Sequence, residues 1–232
     1  MRDMKVIKDI KLNIDGEEVL RYQGYSKKRV KTPNKNILQI TEEEINRGYD
    51  LFKPRGIYSL IKIIRFTSRG GINLENGLTF RFPKSIINQL EGVNHFLVGV
   101  VTIGGLIEKK VSELFSQGEY PRALALDAVG TVAVEDFSRR VRKLARQEIK
   151  KQGFNTSRHF SPGYGGWEVS QQKIIFKSIL TDNIGVRLTK GYMMLPQKSL
   201  SWTIGVGKEI ITPSEEDNNC ENCQYECCNY KF

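Results

Sequence analysis

Residues 57–66, IYSLIKIIRF, gather β-branched and aromatic side chains into a run of strand length, and 95–103, HFLVGVVTI, repeat that composition. Both read as strands, with a shorter one expected around 78–82 after Gly70 and Gly71 turn the chain. Over 105–117 the period changes: Leu106, Ile107, Val111, Leu114 and Phe115 recur at the spacing of an amphipathic helix. A long helix is expected over 121–151, opened by Pro121 in its first turn. Leu124, Ala128, Val132, Phe137, Val141, Leu144 and Ile149 form its apolar stripe, and RRVRKLARQ its basic outer face. The first half of that helix, ALALDAVGTVA, is built of small residues that let another element approach closely.

Thr41 and Glu44 have the spacing of a capping box, which predicts a helix over about 42–53 that stops before Pro54. Residues 1–37 mix short apolar stretches with turn residues, and 27–31, KKRVK, reads as a solvated loop or strand edge. After Gly153 a loop, NTSRHFSPGYGGW, is expected. A helix over about 171–181 should follow, with Ile174, Ile175, Phe176, Ile179 and Leu180 inward. Alternation then returns in IGVRLT, YMML and SLSWTIGV, which read as strands joined by tight turns. Helices and strands mix without a regular βαβα rhythm, so the fold class is α+β with a largely antiparallel twisted sheet and flanking helices. We expect one domain over 1–212 and a separate acidic, cysteine-rich tail over 213–232.

Composition narrows the function classes. With 39% apolar and 27% charged residues in 232, the chain can bury a sizeable core, and a disordered or collagen-like protein is excluded. The longest apolar run, 96–107, is short of the roughly 20 residues a membrane span needs. The charged first fifteen residues lack the apolar core of a signal peptide, so a cytoplasmic location and no membrane partner are expected. Net charge is +10, yet residues 1–70 carry 16 Lys/Arg against 9 Asp/Glu, whereas 213–232 carry one Lys against five acids. The basic residues are scattered and no nucleic-acid-binding motif accompanies them, so affinity for an acidic partner surface explains the charge equally well and a nucleic-acid partner is not expected.

Few catalytic constellations are available. His95 and His159 are the only histidines, which excludes a His-rich metal site, and His95 reads as a satisfied sheet residue. Gly104 and Gly105 lack the Lys-Ser/Thr that completes a P-loop, and Gly205-Val206-Gly207 sits too near the end to open the helix of a dinucleotide-binding unit. Asp127 lies among small residues, where a lone charge is costly unless it is paired, hydrogen-bonded or in contact with a ligand.

The segment 158–167, RHFSPGYGGW, is the most unusual. Pro162 fixes a backbone angle, Gly163, Gly165 and Gly166 permit close approach, Tyr164 and Trp167 offer flat faces, and Arg158 can fork a carboxylate. It is either a compact loop leading into a helix or the seat of a small ligand carrying a carboxylate and a planar ring. A second segment, 193–202, MMLPQKSLSW, joins two expected strands; its methionines read as core filler and Pro196 as a bulge or edge.

The two segments in that order, with VTIGGLIEKKVSELFSQGEYPRALALDAVGTVAVE before them, resemble the activation domain of cobalamin-dependent methionine synthase and its shorter free-standing relatives. The resemblance spans about 40–207. It implies a curved α+β domain that binds S-adenosylmethionine in a surface groove and docks over a corrinoid carrier, so that the donor's methyl group restores the reduced corrinoid. In this chain His159 falls where the family has arginine, with Arg158 one residue earlier, and Tyr164 matches directly. Pro162, Gly163, Gly165 and Trp167, with Met194, Pro196, Ser199 and Ser201 of the second segment, are implied to shape the groove. No corrinoid-binding signature or substrate domain is present. The implied partner is therefore a separate corrinoid-binding protein or truncated methionine synthase, with an electron donor such as flavodoxin or ferredoxin. A corrinoid-protein binding module or chaperone that has lost donor binding is the alternative, kept open by His159.

In the tail, Cys220, Cys223, Cys227 and Cys228 fall within nine residues of an otherwise cysteine-free chain. That crowding suggests zinc or an iron–sulfur cluster, redox or corrinoid-facing thiols, or a reactive tail, rather than structural disulfides.

Overall fold

The structure, a computed structural model, describes residues 4–8, 10–25, 32–67 and 70–210. Seven strands form the main sheet: β1 (Met4–Lys8), β2 (Arg55–Phe66), β3 (Gly71–Leu74), β4 (Thr79–Arg81), β5 (His95–Thr102), β6 (Asn155–Phe160) and β9 (Ser199–Gly207). The order is β4-β3-β2-β5-β9-β6. β2 carries β5 along one edge and, on the other, β1 beside its first half and β3 beside its second, with an irregularity between Ile63 and Arg65 inside the pairing with β3. Every strand pairing among the described residues is antiparallel, as the absence of a βαβα rhythm predicts. A two-stranded hairpin, β7 (Arg187–Leu188) and β8 (Met194–Leu195), stands apart.

One face of the sheet is covered by α1 (Gly16–Tyr22), α2 (Lys35–Leu51), α4 (Leu106–Ser116) and the 32-residue α5 (Tyr120–Lys151). Tyr58, Leu97, Val101, Trp202, Ile204 and Val206 point into that layer and meet the stripe Val129, Val132, Ala133, Phe137 and Val141 of α5. The small residues of α5 allow the close approach their composition predicts: a Cβ on Gly130 would lie 3.0 Å from Ile107 of α4 and 3.2 Å from the Lys198 stem. The opposite face holds a second core of Ile57, Ile61, Phe80, Phe96, Val98, Val100, Phe160 and Trp167, closed by α3 (Lys84–Ile87) and α6 (Gln172–Ser178).

Several expectations need correction. The second helix begins at Lys35, capped by the Asn34 side chain, which accepts from the Ile37 N–H at 2.9 Å; Thr41 and Glu44 are buried inside it. Glu44 spends its carboxylate on Arg47 and Arg122, at 3.0 and 2.8 Å, so it caps nothing. Residues 155–160 form an edge strand where a loop was expected. Leu124 and Leu144 of the α5 stripe are exposed although Ala123, Ala125, Val141 and Ala145 around them are buried: the two leucines lie on the side of the helix turned away from the core. The helix expected over 171–181 divides into a 3-10 turn (Val169–Gln171), α6 and a second 3-10 turn (Thr181–Ile184), which leaves Leu180 exposed. No helix among the described residues is long and apolar enough to cross a membrane.

Candidate functional site

The two segments singled out in the sequence meet on β9. Ser199 opens that strand opposite Thr102 of β5, and farther along Thr203 and Ile204 pair with Phe160 and His159 of β6. Ser199 and Ile204 are about 17 Å apart at roughly 3.4 Å per residue, a span suited to an elongated ligand. The loop after β6 runs back toward the Ser199 end, where Ser201 Oγ donates to Gln172 Oε1 at 3.4 Å.

The loop 161–167 is held by its own backbone: the Gly163 N–H donates to the Trp167 carbonyl at 2.7 Å, and the Trp167 N–H to the Tyr164 carbonyl at 3.0 Å. Gly163, Gly165 and Gly166 have φ of +93°, +60° and +78°, a left-handed region that side chains other than glycine enter at a cost. That winding buries Pro162 and leaves Tyr164 69% exposed. Trp167 offers no face to a ligand; it is a core residue, 4.3 Å from the Phe82 ring centroid and also against Phe80.

Arg158 and His159 have separate environments. The Arg158 guanidinium lies over the Phe160 ring at 5.2 Å, and its Nε is buried with no hydrogen-bond partner. His159 pairs with Ile204, a residue of the helix-side core. Burial, then Arg142, Arg146 and Arg158, push its pKa down to about 3, so the ring is a neutral imidazole. His95 sits in β5 as expected, 2.7 Å from the Asn94 side-chain oxygen, its pKa lowered mainly by burial and then by Lys62.

The turn before β9 interlocks with the turn after β5. The Ile103 N–H and the Thr102 hydroxyl both donate to the Lys198 carbonyl, at 3.2 and 3.3 Å, and the Lys198 N–H donates to Glu108 Oε1 at 2.8 Å. Pro196 packs beside Gly105, the Ser199 hydroxyl donates to the Pro196 carbonyl at 2.7 Å, and Met194 packs on the second core. Lys198 then crosses to α5, its Nζ 2.8 Å from Asp127 and 2.9 Å from the Thr131 hydroxyl. This settles Asp127: its charge is paired, and the lysine that pairs it is 15% exposed.

The shape of the molecule is matched by a solved protein. A crystal structure of the MetH reactivation domain bound to AdoHcy superposes with a TM-score of 0.65, over 90% of this chain and 79% of that one, at 12% sequence identity. The two chains share a fold. No family model and no curated protein matches the sequence.

Sequence reading missed part of this region. RRVRKLARQ is not uniformly an outer face: Arg139 and Arg140 pair with Asp136, but Arg146 turns to β6 and bonds the Thr156 hydroxyl at 2.8 Å, and Arg142 one turn earlier bonds Ser138 at 2.6 Å. Their four-residue spacing was the available signal. Cys220, Cys223, Cys227 and Cys228 lie outside the described residues, and among the described residues no three His, Cys, Asp or Glu side chains group to hold a metal ion.

Proposed function

We propose that this protein binds S-adenosylmethionine and serves in trans as the reactivating partner of a corrinoid-dependent methyltransferase such as methionine synthase. The observation that carries the reading is the glycine-wound loop 161–167, which follows β6, the strand paired with β9, and leaves Tyr164 exposed, in a fold shared with a domain solved with AdoHcy. A sulfonium donor with an amino-acid tail and an adenine ring asks for a backbone that approaches closely, an aromatic face and a carboxylate fork. Gly163 and Gly165, Tyr164 and Arg158 supply those three, with Pro162, Met194, Pro196 and Ser199 shaping the walls. The corrinoid, carried by the partner and reduced by an external electron donor, supplies the chemistry at cobalt; this chain's residues supply donor binding and orientation.

A second reading keeps the corrinoid partner and drops the donor. It is favoured by His159, which occupies the family's arginine position yet is neutral and packed against the helix-side core. Calorimetry with S-adenosylmethionine separates the two. The first reading predicts saturable binding, weakened at least tenfold by Tyr164→Ala and by Arg158→Ala. No binding by the intact protein leaves only the second, and wild-type affinity in both variants places the donor elsewhere.

A further inference from the structure

We propose that the solvent face of α5 from Arg139 to Lys151 is the docking surface for this chain's own acidic segment, residues 213–226. Arg139, Lys143, Gln147 and Lys150 recur every three or four residues and are all exposed, so they line one stripe of the helix opposite the buried Val141, Ala145 and Ile149. The stripe has little countercharge of its own. Asp136 is buried and already divides its carboxylate between Arg139, Arg140 and the Asn13 N–H, which leaves the Arg139 side chain 73% exposed. Glu148, on the flank, is taken by Lys5 and the Tyr58 hydroxyl. Among the described residues no carboxylate lies within ion-pair distance of Lys143 or Lys150.

The described chain ends beside the Lys150 end of that stripe. The Asn155 side chain donates to the Lys208 carbonyl at 3.0 Å, and Lys208 Nζ lies 5.8 Å from the centre of the Phe154 ring. The Phe154 N–H in turn donates to the Ile149 carbonyl of α5 at 3.3 Å. Lys208 therefore adds a cation there, whereas Glu209 lies against Gly92. Ile210, buried in the second core, fixes the point from which the rest of the chain departs. Beyond it, 213–232 carry five acids against one Lys, with Glu215, Glu216 and Asp217 in succession and Glu221 and Glu226 after them. The lengths agree: an extended chain from Ile210 to Glu215 reaches up to about 17 Å, Glu215 to Glu221 covers up to about 20 Å, and Lys150 back to Arg139 is about 17 Å of helix. A tether of this kind gives the acids an effective concentration of about millimolar at the helix, which favours them over an acidic protein free in solution. Exposed ion pairs contribute little to folding, so the contact decides what reaches the α5 face rather than whether the domain folds. The inference is independent of donor binding, since none of these residues belongs to 158–167 or 193–202.

The test places a nitroxide on Cys220 of the full chain, with Cys223, Cys227 and Cys228 changed to Ser, and reads amide line widths by NMR. Docking predicts broadening over 139–151 at low salt that is lost at about 1 M salt, where the screening length is about 3 Å. Lys143→Glu with Lys150→Glu should reduce the broadening at least threefold, and so should Glu215→Gln with Glu216→Gln and Asp217→Asn. Lys109→Glu with Lys110→Glu, which makes the same change in net charge on α4, should leave it at the wild-type level. In the chain with all four cysteines, neutralising the three acids should shift the Lys143 and Lys150 amide signals. Circular dichroism reports folding, and one set of variants on each partner keeps the test readable if the other fails to fold. Broadening centred on another surface, or broadening untouched by salt and by both sets, overturns the proposal. So does an absence of broadening at low salt, which would leave the α5 face to a separate acidic protein.

Discussion

Gly99 of β5 stands opposite Trp202 of β9, and the indole lies directly over it. A methyl group at position 99 would sit 2.6 Å from two ring carbons, Cε2 and Cη2, and closer still to Cζ2. Carbon atoms pack favourably at about 3.5–4.0 Å, so the ring has to retreat by about 1 Å. It has nowhere to go: Trp202 is fully buried in the helix-side core, with the Tyr58 ring 6.5 Å away. Overpacking a rigid site of this kind costs about 1–3 kcal/mol, and with an immovable indole Gly99→Ala should reach the top of that range. At about 2–4 °C per kcal/mol for a chain of this size, the melting temperature should fall by about 6–12 °C. Urea denaturation measures the free energy directly, and the slope of the transition should stay unchanged. In a Trp202→Phe background the ring atoms that meet the methyl are gone, so the same substitution should cost less than about 1 kcal/mol there, a coupling of about 2 kcal/mol. A loss below about 0.5 kcal/mol in the wild type, or the same loss in both backgrounds, would refute the β5–β9 register on which the site is built.

Acid titration probes His159. Its folded pKa of about 3 lies below the ordinary 6.5, so between those values the unfolded chain takes up a proton that the folded chain refuses, and stability falls as pH falls. From pH 7.5 to 5 this removes up to about 2 kcal/mol; His95 acts in the same direction and Glu135, raised by burial, in the other, so the readout is the shallower dependence of His159→Gln against wild type in urea melts. Glu44→Gln, which leaves Arg47 and Arg122 without their fully buried partner, should cost about 1–3 kcal/mol by the same assay; a neutral result would show that the network adds nothing. Deleting 213–232 should leave the melting temperature within about 2 °C, since PSEEDNN has no apolar periodicity, and should remove any zinc or iron found by elemental analysis; a large loss of stability would mean that the tail packs on the domain.

The elements legible in the sequence were those whose apolar period is complete: β2 and β5 as β-branched runs, α4 and α5 as helical stripes. β6 escaped because polar residues, Thr156 and Ser157, fill buried positions of NTSRHF, which leaves Phe160 as its one apolar residue and no apolar alternation to read. The start of α2 escaped because Asn34 caps it seven residues before the more conspicuous Thr41. The glycine loop was readable because left-handed turns leave a compositional trace. The Lys198–Asp127 bridge was not, since it joins residues from elements far apart in the chain, and no spacing rule connects a helix to a distant turn.

The central claim is most directly tested in the visible spectrum of cobalamin. A corrinoid methyltransferase held as cob(II)alamin is given a low-potential reductant and S-adenosylmethionine, with and without this protein. The account predicts that adding the protein accelerates the appearance of methylcobalamin, that the protein alone turns over nothing, and that Tyr164→Ala removes the acceleration. A rate equal to that of partner and reductant alone, across corrinoid partners that bind the protein, would contradict it.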